Sequence, residues 1–190
     1  MLRKRRQPQI DLRPANPSQG FEHLSRESIA VLTWLQANQV EFVLVGPVAE
    51  AVRGGSTTAG PVAIVPAPYR RNFERLSRGL EASGARPRQN GGAEAAKARA
   101  AADKVAGGQR WEFRTGVHFL DVEGRSGETP GYQELLYEAG RYELAAGVNV
   151  DVASPEDIEH YAHVRRTGRS PELRITRGSK QQLEHTSGGH

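Results

Sequence analysis

The chain has 190 residues, of which 37% are hydrophobic and 25% are charged. This length suffices for one domain with a core and is too short for two domains of ordinary size. The absence of cysteine excludes disulfide frameworks, thiolate metal sites and cysteine nucleophiles. The net charge is +4, and the four basic residues at positions 3–6 account for all of it, so the rest of the chain is neutral.

The two ends of the chain differ in composition from its middle. Residues 1–20 are polar, contain three prolines and show no apolar periodicity, which predicts a disordered basic arm. This arm has no apolar run of the secretion-signal type, and the longest mostly apolar stretch, residues 42–49, is far shorter than the roughly 20 residues of a membrane helix. We therefore expect a cytoplasmic protein without membrane contact. Residues 179–190 are predicted to be a disordered tail, which leaves one domain over residues 21–178.

Helices and strands are predicted to alternate in the first half of the domain. Apolar residues recur at helical intervals after Ser25, a suitable N-cap, and this pattern predicts a helix that ends at Asn38. Residues 42–45 form an apolar run that predicts a strand buried on both faces, and a short helix follows it. A second buried strand is predicted over residues 62–65, and then an amphipathic helix that stops near residues 83–84.

The second half is predicted to contain an insert, two hairpins and a closing helix. Residues 86–109 are rich in Ala, Gly, Lys and Arg and are expected to form an exposed, flexible insert. Hairpins are predicted around Gly116 and around residues 145–147, with a short helix over residues 132–137 between them. Ser154, followed by proline and two acids, predicts the start of the closing helix. This order of elements predicts an α+β fold with one mixed β-sheet flanked by helices.

Residues 43–66 resemble the core of a known family. They contain a strand that ends at Gly46 and Pro47, a helix and loop, and a second strand that follows Pro61. This arrangement resembles the minimal nucleotidyltransferases of the DNA polymerase β superfamily, and it is most similar to the small bacterial proteins grouped with AbiEii-type toxins. In that family the first strand ends in Gly-Gly or Gly-Ser, and the second strand opens with Asp-x-Asp.

Later segments agree with the same family in order and spacing. Residues 120–122 resemble the strand that bears the family's third carboxylate, which gives that position to Asp121. Residues 132–136 resemble its Tyr-Glu-Glu-Leu helix, and residues 152–158 resemble its Val-Ala-Ser-Leu-Glu-Asp-Leu helix start. The resemblance covers residues 25–173 and implies a nucleotidyltransferase-like fold.

The positions that carry chemistry in this family are replaced here. Nucleotidyl transfer requires carboxylates that hold divalent cations at the triphosphate. Pro61 and Ala63 stand where the resemblance places the Asp-x-Asp pair, so of the three carboxylates Asp121 alone is retained. Pro47 replaces the second residue of the phosphate-binding turn and has no backbone N–H to donate. The family's helix lysine is also missing. The sequence therefore indicates a degenerate active site.

Several residues remain candidates for ligand binding. Gly46 and the loop residues Gly54, Gly55, Ser56 and Thr57 are candidates for contact with nucleotide phosphates, although turn geometry explains such a loop equally well.

Metal ligands are candidates at two places. Asp121 is either a vestigial metal ligand or a surface or turn-capping acid, and Glu123, two residues on, is expected on the same strand face, where the two could pair for a metal. His160 and His163 have a spacing that can place both rings on one zinc ion, and solvated histidines have the same spacing. The histidine pair has no third ligand nearby in the sequence.

Three functions are compatible with these observations. The first is a nucleotidyltransferase-fold protein that has lost catalysis and binds a nucleotide or a protein partner, with no cofactor expected. The second is a working nucleotidyltransferase that uses Mg²⁺ and takes its ligands from Asp121, Glu123 and a displaced acid such as Glu50. The third is a nucleic-acid accessory protein that uses the basic arm and the basic segment after Val164.

Overall fold

The computed structural model describes residues 16–17, 24–55, 60–88, 108–116, 118–144 and 147–171. Eight strands and five helices form within these ranges. The strands are β1 (Asn16–Pro17), β2 (Phe42–Val45), β3 (Val62–Pro66), β4 (Arg86–Pro87), β5 (Trp111–Thr115), β6 (His118–Val122), β7 (Gly140–Leu144) and β8 (Val148–Val152). The helices are α1 (Arg26–Ala37), α2 (Gly46–Val52), α3 (Arg70–Ala82), α4 (Tyr132–Glu138) and α5 (Pro155–Thr167).

All eight strands belong to one mixed sheet, in the order β1-β7-β8-β2-β3-β6-β5-β4. At its centre β3 runs antiparallel to β2 and parallel to β6, and β2 runs parallel to β8. The pairs β5/β6 and β7/β8 are antiparallel hairpins. Every residue of β2 and β3 is buried, which explains why these two strands have continuous apolar sequences. The predicted fold class, α+β with a mixed sheet flanked by helices, is confirmed.

The helices cover both faces of the sheet. On one face α1 contacts β6, where the Ser28 hydroxyl is hydrogen-bonded to Nε2 of His118 at 3.2 Å. On the opposite face α5 reaches β6, where Arg165 contacts Asp121. His118 and Asp121 are three residues apart on one strand, so their side chains point to opposite sides. We call the two sides the His118 face and the Asp121 face. No helix in the described ranges is both long and apolar enough to cross a membrane.

Local signals place the helix ends where the sequence predicts them. The Ser25 hydroxyl accepts a hydrogen bond from the backbone N–H of Ser28 at 3.1 Å, and Asn38 caps the other end of α1. The Ser154 hydroxyl accepts from the N–H of Asp157 at 3.1 Å at the start of α5. Both predicted N-caps are therefore confirmed.

The structure differs from the sequence-based expectations at the two sheet edges. Asn16 and Pro17 lie in the predicted disordered arm but pair with β7. Arg86 and Pro87 lie in the predicted flexible insert but pair with β5. Each strand has two residues, which is too short for an alternating pattern, and each pairs with an otherwise open edge of the sheet. Of the other residues in these two segments, Arg88 and residues 108–109 are described, and the rest lie outside the described ranges. The predicted tail also lies outside them.

Candidate functional site

The central strands bring Ala63 and Asp121 together on the Asp121 face. Val45, Ala63 and Asp121 are register partners across β2, β3 and β6, so their side chains share one side of the sheet. Ala63 is fully buried. Pro61 directly precedes β3. The order of strands therefore places these residues next to one another.

The turn between β2 and α2 is closely packed. Gly46 has φ +72°, a left-handed conformation that favours glycine, and a Cβ there would lie 3.1 Å from Cβ of Ala63. Pro47 occupies the first turn of α2. A Cβ on Gly60 would lie 2.8 Å from Cβ and Cγ of Pro47, so the proline ring fills the space between α2 and the approach to β3.

Asp121 is held by two arginines. Its side chain is buried, and its Oδ2 lies 3.0 Å from Nη2 of Arg110 and 3.3 Å from Nη2 of Arg165. Both arginines also contact Oε1 of Glu123, Arg110 through Nε at 3.3 Å. Arg110 reaches Glu112 as well, at 2.9 Å. We call these five residues the arginine–carboxylate cluster.

Three elements supply this cluster. Glu112 and Asp121 are register partners on β5 and β6. Arg110 lies two residues before Glu112, and Glu123 lies two residues after Asp121. All four side chains therefore start from the same face of the sheet. Arg165 lies in the last turn of α5 and joins them from above the sheet. The cluster therefore fastens α5 to the sheet.

Burial and charge shift the pKa values of the cluster in opposing ways. Burial raises the pKa of Asp121 above its ordinary value, although Arg165 and then Arg110 act to lower it. Burial acts to lower the pKa of Arg110, but Glu123 and Asp121 raise it above its ordinary value. Both arginine side chains keep about a third of their surface exposed, 38% for Arg110 and 33% for Arg165, so water retains access to the cluster.

A divalent cation does not fit these residues. Magnesium is held by several oxygen ligands in octahedral geometry. Pro61 and Ala63 have no side-chain oxygen, and Oδ2 of Asp121 already contacts two guanidinium groups. Among the described residues, no three His, Cys, Asp or Glu side chains are placed to hold a metal ion. The Mg²⁺ chemistry that the resemblance implies is therefore not supported by this donor set.

The remaining sequence candidates have structural contacts or lie outside the described ranges. Gly54 has φ +90° and ends the turn after α2, and a Cβ on Gly55 would lie 2.6 Å from the side chain of Glu50. Ser56 and Thr57 lie outside the described residues. Turn geometry and close packing thus account for the two glycines.

The histidine pair is not assembled as a metal site. His160 Nε2 donates to the backbone carbonyl of Glu128 at 2.8 Å, which attaches α5 to the loop before α4. The two tryptophans are packing residues. Trp111 is buried and its ring stacks on Phe113 at 6.2 Å between centroids, and Trp34 packs against Gly79 of α3.

Two clefts border the cluster. One has a volume of about 480 Å³ and lies between Val65 and Phe73 on one side and the loop of residues 123–131 on the other. The second has a volume of about 300 Å³, and Arg110 and Arg165 form part of its wall. Charged groups line both clefts, and in the second cleft Arg110 and Arg165 are both paired with Glu123.

Neither Arg110 nor Arg165 is predicted from the sequence to belong to this site. A signal for Arg110 exists, because residues 110, 112, 121 and 123 alternate along two strands of one hairpin and carry charge at every second position. Arg165, which lies in the basic segment after Val164, is paired with Asp121 and Glu123. A contact between α5 and the sheet has no local sequence signal.

The chain was compared with known proteins. No protein-family model matches it, and no curated protein sequence matches it significantly. A crystal structure of ANT(2'')-Ia in complex with adenylyl-2''-tobramycin is 14% identical, with a TM-score of 0.47, and the match covers 75% of this chain and 78% of that one. A solution structure of the antibiotic-resistance factor ANT(2'')-Ia is 17% identical, with a TM-score of 0.46, over 74% of this chain and 71% of that one.

Proposed function

We propose that the chain is a nucleotidyltransferase-like protein that does not transfer nucleotides and that acts as a binding module. One observation carries this proposal: Asp121, to which the resemblance assigns the third carboxylate, lies beside Ala63 and is paired with Arg110 and Arg165. In this proposal two guanidinium groups occupy the surroundings of the one carboxylate that the resemblance retains.

Physical chemistry supports the loss of catalysis. Metal ions in such sites bridge the triphosphate and stabilise charge on both the attacking and the leaving oxygen. A guanidinium group can neutralise a carboxylate and donate hydrogen bonds to phosphate oxygens, but it is not a Lewis acid, so it cannot coordinate and activate the attacking oxygen as a metal ion does. Pro47 also withholds a backbone donor from the turn that would contact the phosphates.

The proposal also includes the kind of protein that the chain is similar to and the species that it binds. The sequence likeness to the small bacterial AbiEii-type proteins suggests a partner-dependent role, with a nucleotide or a protein as the bound species. The chain is expected to need no cofactor. These statements depend on the resemblance, whereas the proposed loss of transfer depends on the contacts of Asp121.

Acceptor labelling tests the proposal. The full chain is incubated with each of the four ribonucleoside triphosphates, labelled at the α-phosphate, with Mg²⁺ or Mn²⁺ and protein, RNA or aminoglycoside acceptors. We expect no more labelling than with the Asp121→Asn variant. Labelling that requires both the divalent cation and Asp121 would show that the site is active, and the proposal would be wrong.

Calorimetric titration with nucleoside triphosphates supplies the binding measurement. If a nucleotide is the ligand, its affinity is expected to be the same with and without Mg²⁺, because no group of three His, Cys, Asp or Glu side chains among the described residues could hold the ion. A large gain in affinity on adding Mg²⁺ would contradict this expectation even if no transfer is seen.

A further inference from the structure

A row of basic side chains continues the Asp121 face onto the edge of the sheet. Arg86 and Arg114 are register partners on β4 and β5, and Arg114 is the register partner of Phe119 on β6. Partners in register share a face, so all three side chains point to the side that carries Asp121. Arg88 joins them, because its guanidinium carbon lies 4.7 Å from the centre of the Phe119 ring. We call these four residues the arginine face.

The arginine face differs from the arginine–carboxylate cluster in its charge balance. Arg86, Arg88 and Arg114 are all exposed, and no carboxylate of the described residues forms an ion pair with any of them. The nearest acid on the same strands, Glu112, is already paired with Arg110. This surface therefore carries three positive charges that are exposed to solvent and can attract an anionic partner.

Phe119 adds an aromatic surface to this charge. Phe119 is 36% exposed on β6, the third strand from this edge of the sheet, although large apolar side chains are usually buried. The guanidinium of Arg88 lies over the ring, an arrangement that is attractive for a cation and an aromatic face. A flat ring among arginines that have no ion pair with the described residues offers stacking and positive charge on one surface.

We propose that the arginine face binds single-stranded nucleic acid. The arginines contact successive phosphates, and the Phe119 ring holds an unpaired base, because single strands are bound by aromatic platforms within positively charged surfaces. A duplex keeps its bases stacked on each other and cannot use the ring. This inference rests on the proposed function because it treats the chain as a binding module. Its test measures RNA binding and not nucleotide transfer, so the inference and the proposed function can fail independently.

Fluorescence anisotropy with a labelled single-stranded RNA of about 12 nucleotides tests the proposal on the full chain. The variants are Arg88→Gln and Arg114→Gln, and the matched control is Arg78→Gln, an exposed arginine on α3. Each face variant is expected to weaken binding several-fold and to lower the slope of log K against log salt concentration by about 1. The control should bind like the unaltered chain. Equal affinities for face variants and control would overturn the proposal.

The Phe119→Leu variant separates nucleic acid from other polyanions. It removes the ring but keeps an apolar side chain, and loss of one stacked base is expected to weaken binding about fivefold or more. If Arg88→Gln and Arg114→Gln weaken binding but Phe119→Leu does not, the face attracts acidic polymers in general, and the assignment to nucleic acid is wrong. Phe119→Tyr, which retains the ring, should bind like the unaltered chain and shows that any loss in the Leu variant is not a folding defect.

The basic arm is the competing source of affinity. A variant with Gln at positions 3–6 tests it, since those four residues carry the whole net charge. If this variant loses all binding while the face variants lose none, the arm is the nucleic-acid site and the arginine face is not.

Discussion

Asp121 is buried, and its charge is balanced by two arginines that are distant from each other in the chain, Arg110 before β5 and Arg165 on α5. Burial of an ionised carboxylate carries a large desolvation cost, and paired guanidinium groups offset part of it. The raised pKa of Asp121 indicates that the desolvation cost is the larger of the two. The ionised form is therefore less favourable in the folded chain than in the unfolded chain.

This imbalance predicts how stability depends on pH. A carboxyl group whose pKa is raised on folding stabilises the fold while it is protonated, and it loses that contribution as pH rises from its ordinary value of 3.8 through the raised value. The free energy of unfolding of the native chain, relative to the Asp121→Asn variant, should therefore fall across this window. Denaturant titrations of both proteins at a series of pH values measure the difference. A difference that instead grows with pH in favour of the native chain would show that Arg110 and Arg165 dominate.

The replaced ligands can be restored. Pro61→Asp together with Ala63→Asp places two carboxylates beside Asp121, and we expect Mn²⁺ to stabilise this variant by about 2.7 kcal/mol at a metal concentration 100 times Kd. Arg165 contacts the same oxygen of Asp121 and competes with the metal, so adding Arg165→Gln should enlarge the shift. Thermal melting with and without Mn²⁺ measures both effects.

A triple variant is the control for these melts. It combines Pro61→Asp and Ala63→Asp with Asp121→Asn, so it lacks one ligand and should respond less to Mn²⁺. If none of the variants shows a metal-dependent shift, Pro61, Ala63 and Asp121 do not converge. Transfer activity is not expected to return with the metal, because Pro47 still lacks a backbone donor and a lost transition-state donor commonly costs a factor of about 10² to 10³.

At the scale of elements, the junction of α2 and β3 is closed by Pro47. The contact between its ring and Gly60 predicts that Gly60→Ala destabilises the chain by about 1 to 3 kcal/mol, since a Cβ there would lie 2.8 Å from the proline. Replacement of Pro47 by glycine removes the ring, so the added cost of Gly60→Ala should be smaller in that background. Denaturant unfolding of the two single variants and the double variant gives this coupling energy.

A matched glycine serves as the control for this cycle. A Cβ on Gly127 would meet no atom within 4 Å, so Gly127→Ala should change the free energy of unfolding little. Equal costs of Gly60→Ala with and without Pro47 would mean that the proline ring does not close the junction.

The elements that the sequence predicts correctly have local causes. The caps of α1 and α5 are encoded by Ser25 and Ser154 with their nearest neighbours, and the buried strands β2 and β3 are encoded by their apolar runs. The strands β1 and β4 exist because a neighbouring strand offers hydrogen bonds, which no two-residue sequence can indicate.

The candidate site also combines features that the local sequence shows with features that depend on the fold. That Pro61 and Ala63 have no side-chain oxygen can be read from the sequence, because it depends on residue type. The pairing of Asp121 with Arg110 and Arg165 cannot, because it depends on how α5 lies on the sheet.

At the scale of the whole molecule, the chain has two basic regions. The first is the group of four basic residues at positions 3–6, whose charge equals the net charge of the chain. The second is the arginine face on the sheet. Independent regions are expected to contribute additively to binding. The effect of Arg114→Gln on the affinity for single-stranded RNA should therefore be the same in the native chain and in the variant with Gln at positions 3–6. Anisotropy titrations of the four proteins measure this, and a strongly reduced effect would show that arm and face bind the same part of the RNA.

The central pairing of β2 with β8 has a consequence for how the chain folds. Val43 and Asp151 are partners although more than 100 residues separate them, whereas the β5/β6 and β7/β8 hairpins join neighbouring segments. Closing a long loop costs more entropy than closing a hairpin, so local hairpins form in microseconds and distant parallel pairs form later. We therefore expect the β7/β8 hairpin and α5 to join the sheet after the β5/β6 hairpin has formed, so that Asp121 meets Arg110 first and Arg165 later. The full burial of the carboxylate is then expected among the last steps of folding.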